Sequence, residues 1–262
     1  MGLKEKILSG KSLFLFDLDG VFYKGKESRV LIGGADAVRA LRKRGKNLCI
    51  LTNNSTDTSS TVYFRLRKFG IEVRREEVLT SALLTAEYLR DRYGRISYFL
   101  VGEKGLDAEM RRAGHRRTIG DRADFVVVGL DRALTYDKLD QAARVVRGGA
   151  KIAATHAARL YMSKDGPALA TGSIVRALEY ATDKRAIVVG KPSPLMFRIA
   201  LSRWNCAKSK AVMVGDQVET DLLGARRAGI DSILVTTGVD SDDRGMGALA
   251  TLSNVDDLVP LI

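Results

Sequence analysis

Short apolar runs alternate along this chain with longer segments whose apolar residues recur at helical spacing, and that alternation restricts the fold to α/β architectures built on a parallel sheet. Residues 13–16, 47–51 and 211–214 read as strands, and residues 35–44, closed by Gly45, read as a helix between the first two. Such runs are continuous rather than alternating in character, as expected for strands buried on both faces. Each ends in polar residues: Asp17 after the first, Thr52 after the second, Gly215-Asp216 after the third. Residues just past the carboxyl ends of neighbouring parallel strands converge on one crevice, where open α/β sheets bind ligands.

The middle of the chain repeats the pattern. Residues 98–101, 125–128 and 152–154 read as strands, and 83–92, 135–147 and 173–182 as helices. No Gly/Ser/Pro-rich linker separates this part from the rest, so it is expected as an insertion with two tight crossings, hinged near Thr80-Ser81 and Thr182-Asp183. The expected organisation is a doubly wound parallel-sheet core, residues 1–81 and 184–262, carrying a smaller α/β unit, residues 82–183. The polar, Gly-rich stretch 240–247 is expected as a surface loop.

Composition narrows the function classes. With 262 residues, 45% hydrophobic and 28% charged, the chain lies in the globular range, and no apolar run approaches the ~20 residues of a spanning helix. The net charge of +12 is spread out: residues 82–183 hold 17 Lys/Arg against 13 Asp/Glu, the remainder 26 against 18. Without an accompanying motif, this surplus favours attraction of small anions; neither a nucleic-acid nor a membrane partner is expected. The first apolar stretch is broken by Asp17 and Asp19, unlike a signal sequence, and Cys49 and Cys206 suit reduced, buried thiols, so a cytoplasmic protein is expected. There is no His/Cys set for zinc and no G-x-G-x-x-G after a strand.

The sharpest chemical signal is Asp17-Leu18-Asp19-Gly20-Val21. Two carboxylates held this close after a buried strand raise one another's pKa unless a cation relieves them, and Mg²⁺, which takes oxygen ligands, fits that need. Downstream, Val214-Gly215-Asp216-Gln217-Val218-Glu219-Thr220-Asp221 is again a strand followed by acids, and Asp216 is placed to complete a metal site. In Val189-Gly190-Lys191-Pro192, Pro192 biases Lys191 away from helical geometry and leaves a cation to neutralise phosphate or nucleophile charge. Leu51-Thr52-Asn53-Asn54-Ser55 supplies a hydroxyl and two amides as phosphate donors.

In chain order, 17–21, 51–55, 189–192 and 214–221, the four segments closely resemble the haloacid dehalogenase superfamily, and Leu31-Ile32-Gly33-Gly34-Ala35, Thr171-Gly172-Ser173 and Val188-Val189-Gly190-Lys191-Pro192 are similar to its NagD-like and para-nitrophenyl-phosphatase-like subgroup. The resemblance covers nearly the whole chain. It implies that the insertion is an α/β cap of the C2 type, and that Asp17 is the nucleophile and Asp19 the general acid and base. It implies further that Asp17, the carbonyl of Asp19 and Asp216 hold Mg²⁺, with Asp221 behind them, while Thr52, Asn53, Asn54 and Lys191 bind the phosphoryl group. Asp19 separates this chain from dehalogenases, which lack that carboxylate, and Leu18-Asp19-Gly20-Val21 separates it from transport ATPases, which carry Lys-Thr-Gly-Thr.

The implied activity is hydrolysis of a small phosphorylated metabolite, a polyol or hydroxy-acid phosphate such as glycerol phosphate or phosphoglycolate, with pyridoxal phosphate or a nucleoside monophosphate as the alternative. A non-catalytic anion- or nucleic-acid-binding protein on the same fold is the remote rival. The cap segment 154–161 departs from the subgroup: His156 stands where Asn or Asp is usual and Ala170 where Gly is expected. His156, Arg159 and Tyr161 are candidate leaving-group contacts, with a structural role equally open for His156, and His115 is expected at the surface. The resemblance also allows a homodimer.

Overall fold

The computed structural model describes residues 7–24, 30–163 and 165–262. Its strands, in chain order, are β1 Leu13–Phe16, β2 Tyr23–Lys24, β3 Val30–Leu31, β4 Asn47–Thr52, β5 Val78–Thr80, β6 Ser97–Val101, β7 Arg116–Thr118, β8 Phe125–Val128, β9 Lys151–Ala154, β10 Leu160–Ser163, β11 Gly166–Leu169, β12 Ala186–Val188, β13 Ala211–Gly215, β14 Asp231–Val235 and β15 Ala250–Leu252.

The larger sheet is parallel throughout, in the order β15-β14-β13-β1-β4-β5. Period-two alternation along β1 sends Phe14 and Phe16 into one apolar cluster and Leu13 and Leu15 into another, all fully buried. Helices therefore cover both faces, which is the doubly wound arrangement the uninterrupted apolar runs predict. The register sets Phe16 beside both Ile50 and Val214, so β1, β4 and β13 end within two residues of one another, and the chain leaves β1 for β4 on one side and reaches β13 on the other. That reversal opens the crevice into which Asp17, Thr52 and Asp216 project.

The inserted cap has its own parallel sheet, β12-β9-β8-β6-β7, with the helix Tyr136–Arg147 and the helix Thr171–Thr182 on one face and Ser81–Tyr93 and Lys104–Arg112 on the other. The first crossing falls where expected: Thr80 ends β5 and caps the helix Ser81–Tyr93 by accepting from Leu83 N at 3.2 Å. The second does not. β12 pairs with β9 in the cap sheet, so the cap extends past residue 183 and the chain returns to the core at Val189-Gly190. An apolar run shows that a strand exists, but which sheet it joins is decided by the partner available at that edge.

The antiparallel hairpin β10-β11 was not expected from the sequence; its two strands are short and alternate in exposure, with Leu160 and Met162 facing solvent. His115 is buried, not at the surface: Nε2 lies 2.9 Å from the Ala86 carbonyl, Nδ1 accepts from Ile96 N at 3.3 Å, and burial lowers its pKa. Its spacing after an exposed Arg pair hid the fact that it packs under β6. Both cysteines are free thiols, with Cys49 buried and Cys206 only half-buried beside a turn. Among the described residues no helix is long and apolar enough to cross a membrane.

Candidate active site

Asp17 leaves β1 with its backbone N–H donated to the Val214 carbonyl at 2.9 Å, so the carboxylate sits one residue past the sheet edge. Gly20, at φ +80°, turns the chain back, and its N–H reaches the Tyr23 carbonyl at 2.7 Å. This tight turn keeps Asp19 at the rim, half-buried, while Asp17 is buried. Lys191, delivered by the returning chain, places Nζ 2.8 Å from Asp17 Oδ1 and 2.7 Å from Asp221 Oδ1. Burial opposes its charge, but the Asp17 and Asp221 carboxylates outweigh burial and hold its pKa above the ordinary lysine value.

Asp216 is held by one oxygen: Oδ2 accepts from Val239 N at 3.0 Å, while Oδ1 is buried with no hydrogen-bond partner. Burial, reinforced by the charges of Asp17 and Asp221, pushes this carboxyl well above the usual carboxylate range. Both Asp221 oxygens are engaged, Oδ1 by Lys191 and Oδ2 by Gln217 N at 3.1 Å; burial raises its pKa to about 6, with Lys191 opposing the rise. Asp17, Asp216 and Asp221 each offer an oxygen within 4.8 Å of the others. An orphaned buried carboxylate oxygen in a crowd of three acids is a demand for a cation, and an all-oxygen donor set fits Mg²⁺. The site is fenced by backbone: a Cβ at Gly20 or at Gly238 would overlap the Asp216 carboxylate.

A cavity of about 360 Å³ opens over Asp17, Asp19, Thr52 and Asp216, roofed by His156 and Tyr161 from the cap. Thr52 is buried, its Oγ1 accepting from Asn54 N at 3.2 Å, which leaves the hydroxyl proton to point outward. Asn53 and Asn54 both line this cavity, and their side chains are also engaged within the protein. Asn53 clamps the returning chain, with Oδ1 accepting from Lys191 N at 2.9 Å and Nδ2 donating to the Lys191 carbonyl at 3.1 Å. The Asn54 carbonyl oxygen accepts from Thr56 N and Asp57 N, both at 2.9 Å, and so closes a turn.

The cap candidates divide. Tyr161 lines the cavity. His156 also lines it but is built into the cap: its Nδ1 accepts from Ala158 N at 3.2 Å, which places the ring proton on Nε2, 3.0 Å from Thr171 Oγ1. Arg159 does not line this cavity but the adjoining one, where it pairs with Glu219 of the core at 2.6 Å and both side chains are exposed. Sequence reasoning missed Thr237, Gly238 and Val239, which line the cavity from the carboxyl end of β14. The strand-end rule that found Asp17 would have flagged them, but they carry no charge to draw attention.

Known proteins resemble this chain in sequence and fold. Residues 14–116 match the family model described as haloacid dehalogenase-like hydrolase, and residues 188–259 match that described as HAD-hydrolase-like. An acid sugar phosphatase of Staphylococcus epidermidis is 34% identical over 228 residues, 87% of each chain. The chain belongs to the haloacid dehalogenase-like hydrolases. Within that family, the sugar-phosphatase AraL of Bacillus subtilis is 33% identical over 86% of this chain and 82% of its own. A 4-nitrophenylphosphatase from Thermotoga maritima superposes with a TM-score of 0.88 at 33% identity, over 97% of this chain and 98% of that one. A p-nitrophenyl phosphatase from Archaeoglobus fulgidus gives 0.90 at 31%, over 96% and 99%. This haloacid dehalogenase-like hydrolase is a phosphatase of the NagD type, and its cap is the α/β insertion those structures carry.

Proposed function

We propose that the protein hydrolyses small phosphate monoesters with Mg²⁺ through an aspartyl-phosphate on Asp17. The observation that carries this reading is the buried charge set at the sheet edge: Asp17 against Lys191, beside an Asp216 oxygen that no protein group meets. Asp17 attacks phosphorus, and an acyl-phosphate P–O bond forms as the ester P–O bond breaks. Asp19 at the rim gives its proton to the leaving alkoxide, then takes one from the water that opens the acyl phosphate. Lys191 counters charge at Asp17, and Thr52 donates its hydroxyl to the transferring phosphoryl group. Asp17, the Asp19 carbonyl and Asp216 are the groups to hold Mg²⁺, which when bound neutralises phosphate charge; Asp221, with both oxygens engaged by N–H groups, supports Lys191 from behind.

Among the described residues lining the cavity there is no Lys or Arg, whereas Ser163, Gln217, Thr220 and Thr237 offer hydroxyl and amide groups. That lining supports an uncharged, hydroxylated leaving group, a sugar, polyol or nucleoside, over a hydroxy acid whose carboxylate would meet no cation there. The relatives named as sugar phosphatases agree with that class. The test is phosphate release from a panel of sugar, polyol, hydroxy-acid and nucleoside phosphates, with Mg²⁺ and with EDTA. Metal-dependent release confined to uncharged leaving groups is expected; a preference for phosphoglycolate would overturn the leaving-group class, and no release at all would overturn the activity.

A further inference from the structure

The strands of the cap sheet are all parallel, and their carboxyl edge docks on the core, where Leu130 N donates to Ser55 Oγ at 3.1 Å. Their amino ends therefore lie together at the opposite edge. A cavity of about 660 Å³ opens there and shares no lining residue with the catalytic one. Four cations line it: Arg95 ahead of β6, Arg116 at the start of β7, Arg122 ahead of β8 and Lys151 at the start of β9. All four are exposed, and none of them is in an ion pair among the described residues. Lys151 Nζ stands 4.8 Å from the centre of the Tyr93 ring. The acid in the cavity, Asp124, accepts from Ser97 N at 2.6 Å and from Ser97 Oγ at 2.7 Å; these bonds, aided by the charge of Arg116, hold its carboxyl below the usual carboxylate range.

Helix carboxyl ends also lie at this edge of a parallel sheet and favour cations, but the helices Ser81–Tyr93 and Tyr136–Arg147 carry their own in the last turn, Arg90, Arg92, Arg144 and Arg147. The four cavity cations come in addition to these. Arg90 sharpens the imbalance: its Nη1 is buried with no hydrogen-bond partner, and Arg90 Nη1 and Arg95 Nε both stand 3.4 Å from the place a Cβ would take at Gly114. Like charges gathered in this way repel one another, and a bound anion relieves them. The sheet order β12-β9-β8-β6-β7 puts Lys151 and Arg116 three strand spacings apart. Neighbouring strands lie about 4.8 Å apart, so these two backbones are separated by about 14 Å. A lone phosphate cannot answer cations spread over that width; an extended chain of phosphates can.

We propose that the amino edge of the cap sheet is a binding site for an elongated anion of linked phosphate groups, of the triphosphate class, held by Arg95, Arg116, Arg122 and Lys151. Asp124 offsets one of the four cations, so an anion with a single charge gains little, whereas one with three or more meets each remaining cation. A nucleic-acid strand would look for aromatic faces on which to stack its bases, and the ring at this cavity's mouth, Tyr93, already faces Lys151. The site takes no part in hydrolysis, and the inference stands independently of the phosphatase reading above.

Calorimetric titration with sodium triphosphate tests this in EDTA, which prevents turnover, and with orthophosphate in excess, which fills the catalytic cavity beforehand. Saturable binding of one triphosphate per chain is expected. Replacing both arginines, Arg116→Gln and Arg122→Gln, should weaken it by about 100-fold, roughly tenfold for each charge-assisted contact removed. Both side chains are exposed, so the thermal midpoint and the turnover of para-nitrophenyl phosphate with Mg²⁺ should stay unchanged in that variant. Adenosine triphosphate carries the same chain: binding at least as tight as that of triphosphate extends the site to nucleotides, weaker binding confines it to the inorganic chain, and either upholds recognition of linked phosphates. Triphosphate binding that excess orthophosphate abolishes, or that the double variant leaves unweakened, places the anion elsewhere and overturns the proposal. Binding of a short single-stranded RNA with none of triphosphate assigns the surface to nucleic acid and also overturns it, and no binding of any of these compounds does the same.

Discussion

The two parallel sheets of this molecule are built alike and finished differently. At the carboxyl ends of β1, β4 and β13 of the core stand Asp17, Thr52 and Asp216; at those of β6, β8 and β9 of the cap stand Gly102, Gly129 and Thr155. At the core edge the residues are two acids and a hydroxyl, and they border a cavity. At the cap edge they are small, and the backbone docks: Leu130 N donates to Ser55 Oγ at 3.1 Å, Gly190 N to the Thr155 carbonyl at 2.8 Å, and a Cβ at Gly105 would overlap the Thr56 carbonyl. Nearby Glu109, a buried cap carboxylate, accepts from Ser59 N at 2.8 Å and from Ser59 Oγ at 3.1 Å, holding the first turn of a core helix. A parallel-sheet edge is thus a place where function can be built, and the side chains at it decide between chemistry and attachment.

The largest effects should fall on the core edge. Asp17→Asn removes the proposed nucleophile with little change in shape, and kcat is expected to drop by about 10³-fold or more with the circular dichroism spectrum intact; retained turnover would show that the edge chemistry has been misassigned. Lys191→Met should lower kcat and also stability by about 3 kcal/mol, because it strands two buried carboxylates that share one cation. Chemical denaturation of the metal-free protein measures the second effect independently of the first.

Charge at this edge should also show in the pH dependence of stability. Asp221 stands at about 6 against an ordinary value of 3.8, so the folded chain keeps a proton that the unfolded chain releases. The stability this group contributes is full below pH 3.8 and is lost as pH rises through about 6. Mg²⁺ competes with protons for such carboxylates, so the rise in thermal midpoint from EDTA to Mg²⁺ should be larger at pH 7 than at pH 5. An equal rise at both would mean that the acids are not linked to the cation.

Effects on the cap side should be smaller and of another kind. Glu109→Ala leaves the Ser59 N–H unpaired in a buried place, a cost of about 2 kcal/mol, and loosens the cap on its core; KM should rise more than kcat falls. If kcat collapsed instead, the cap would be part of the chemistry and the contrast between the edges would fail. Arg159→Ala breaks an exposed pair across the mouth and should change stability by less than about 1 kcal/mol, read from denaturation midpoints.

The core was legible because its signals are local. Apolar runs buried on both faces announce their strands, and Asp17, Asp19, Lys191 and Asp216 each follow such a run within a few residues. What stayed hidden depends on partners far away in the chain. Nothing near Ala186–Val188 says that its neighbour is β9 rather than a core strand. Asn53 also holds the returning Lys191 backbone, a partner 138 positions away. The partner of Arg159, Glu219, stands 60 positions away. A side chain's type indicates what it can bond, and only the fold shows what has already taken the bond.

Gly20 and Gly238 lie at opposite ends of the chain, yet both are required to be glycine by the same carboxylate, Asp216. Neither carries a charge, a proton or a ligand atom on a side chain. A descendant of this protein that kept every acid and the lysine but gained one methyl group at position 238 would look intact to anyone checking its ionisable residues, and its Asp216 carboxylate would have nowhere to stand. The heritable unit at this site therefore includes two absences of side chain, and a survey of relatives for lost activity should inspect those two positions as carefully as the acids themselves.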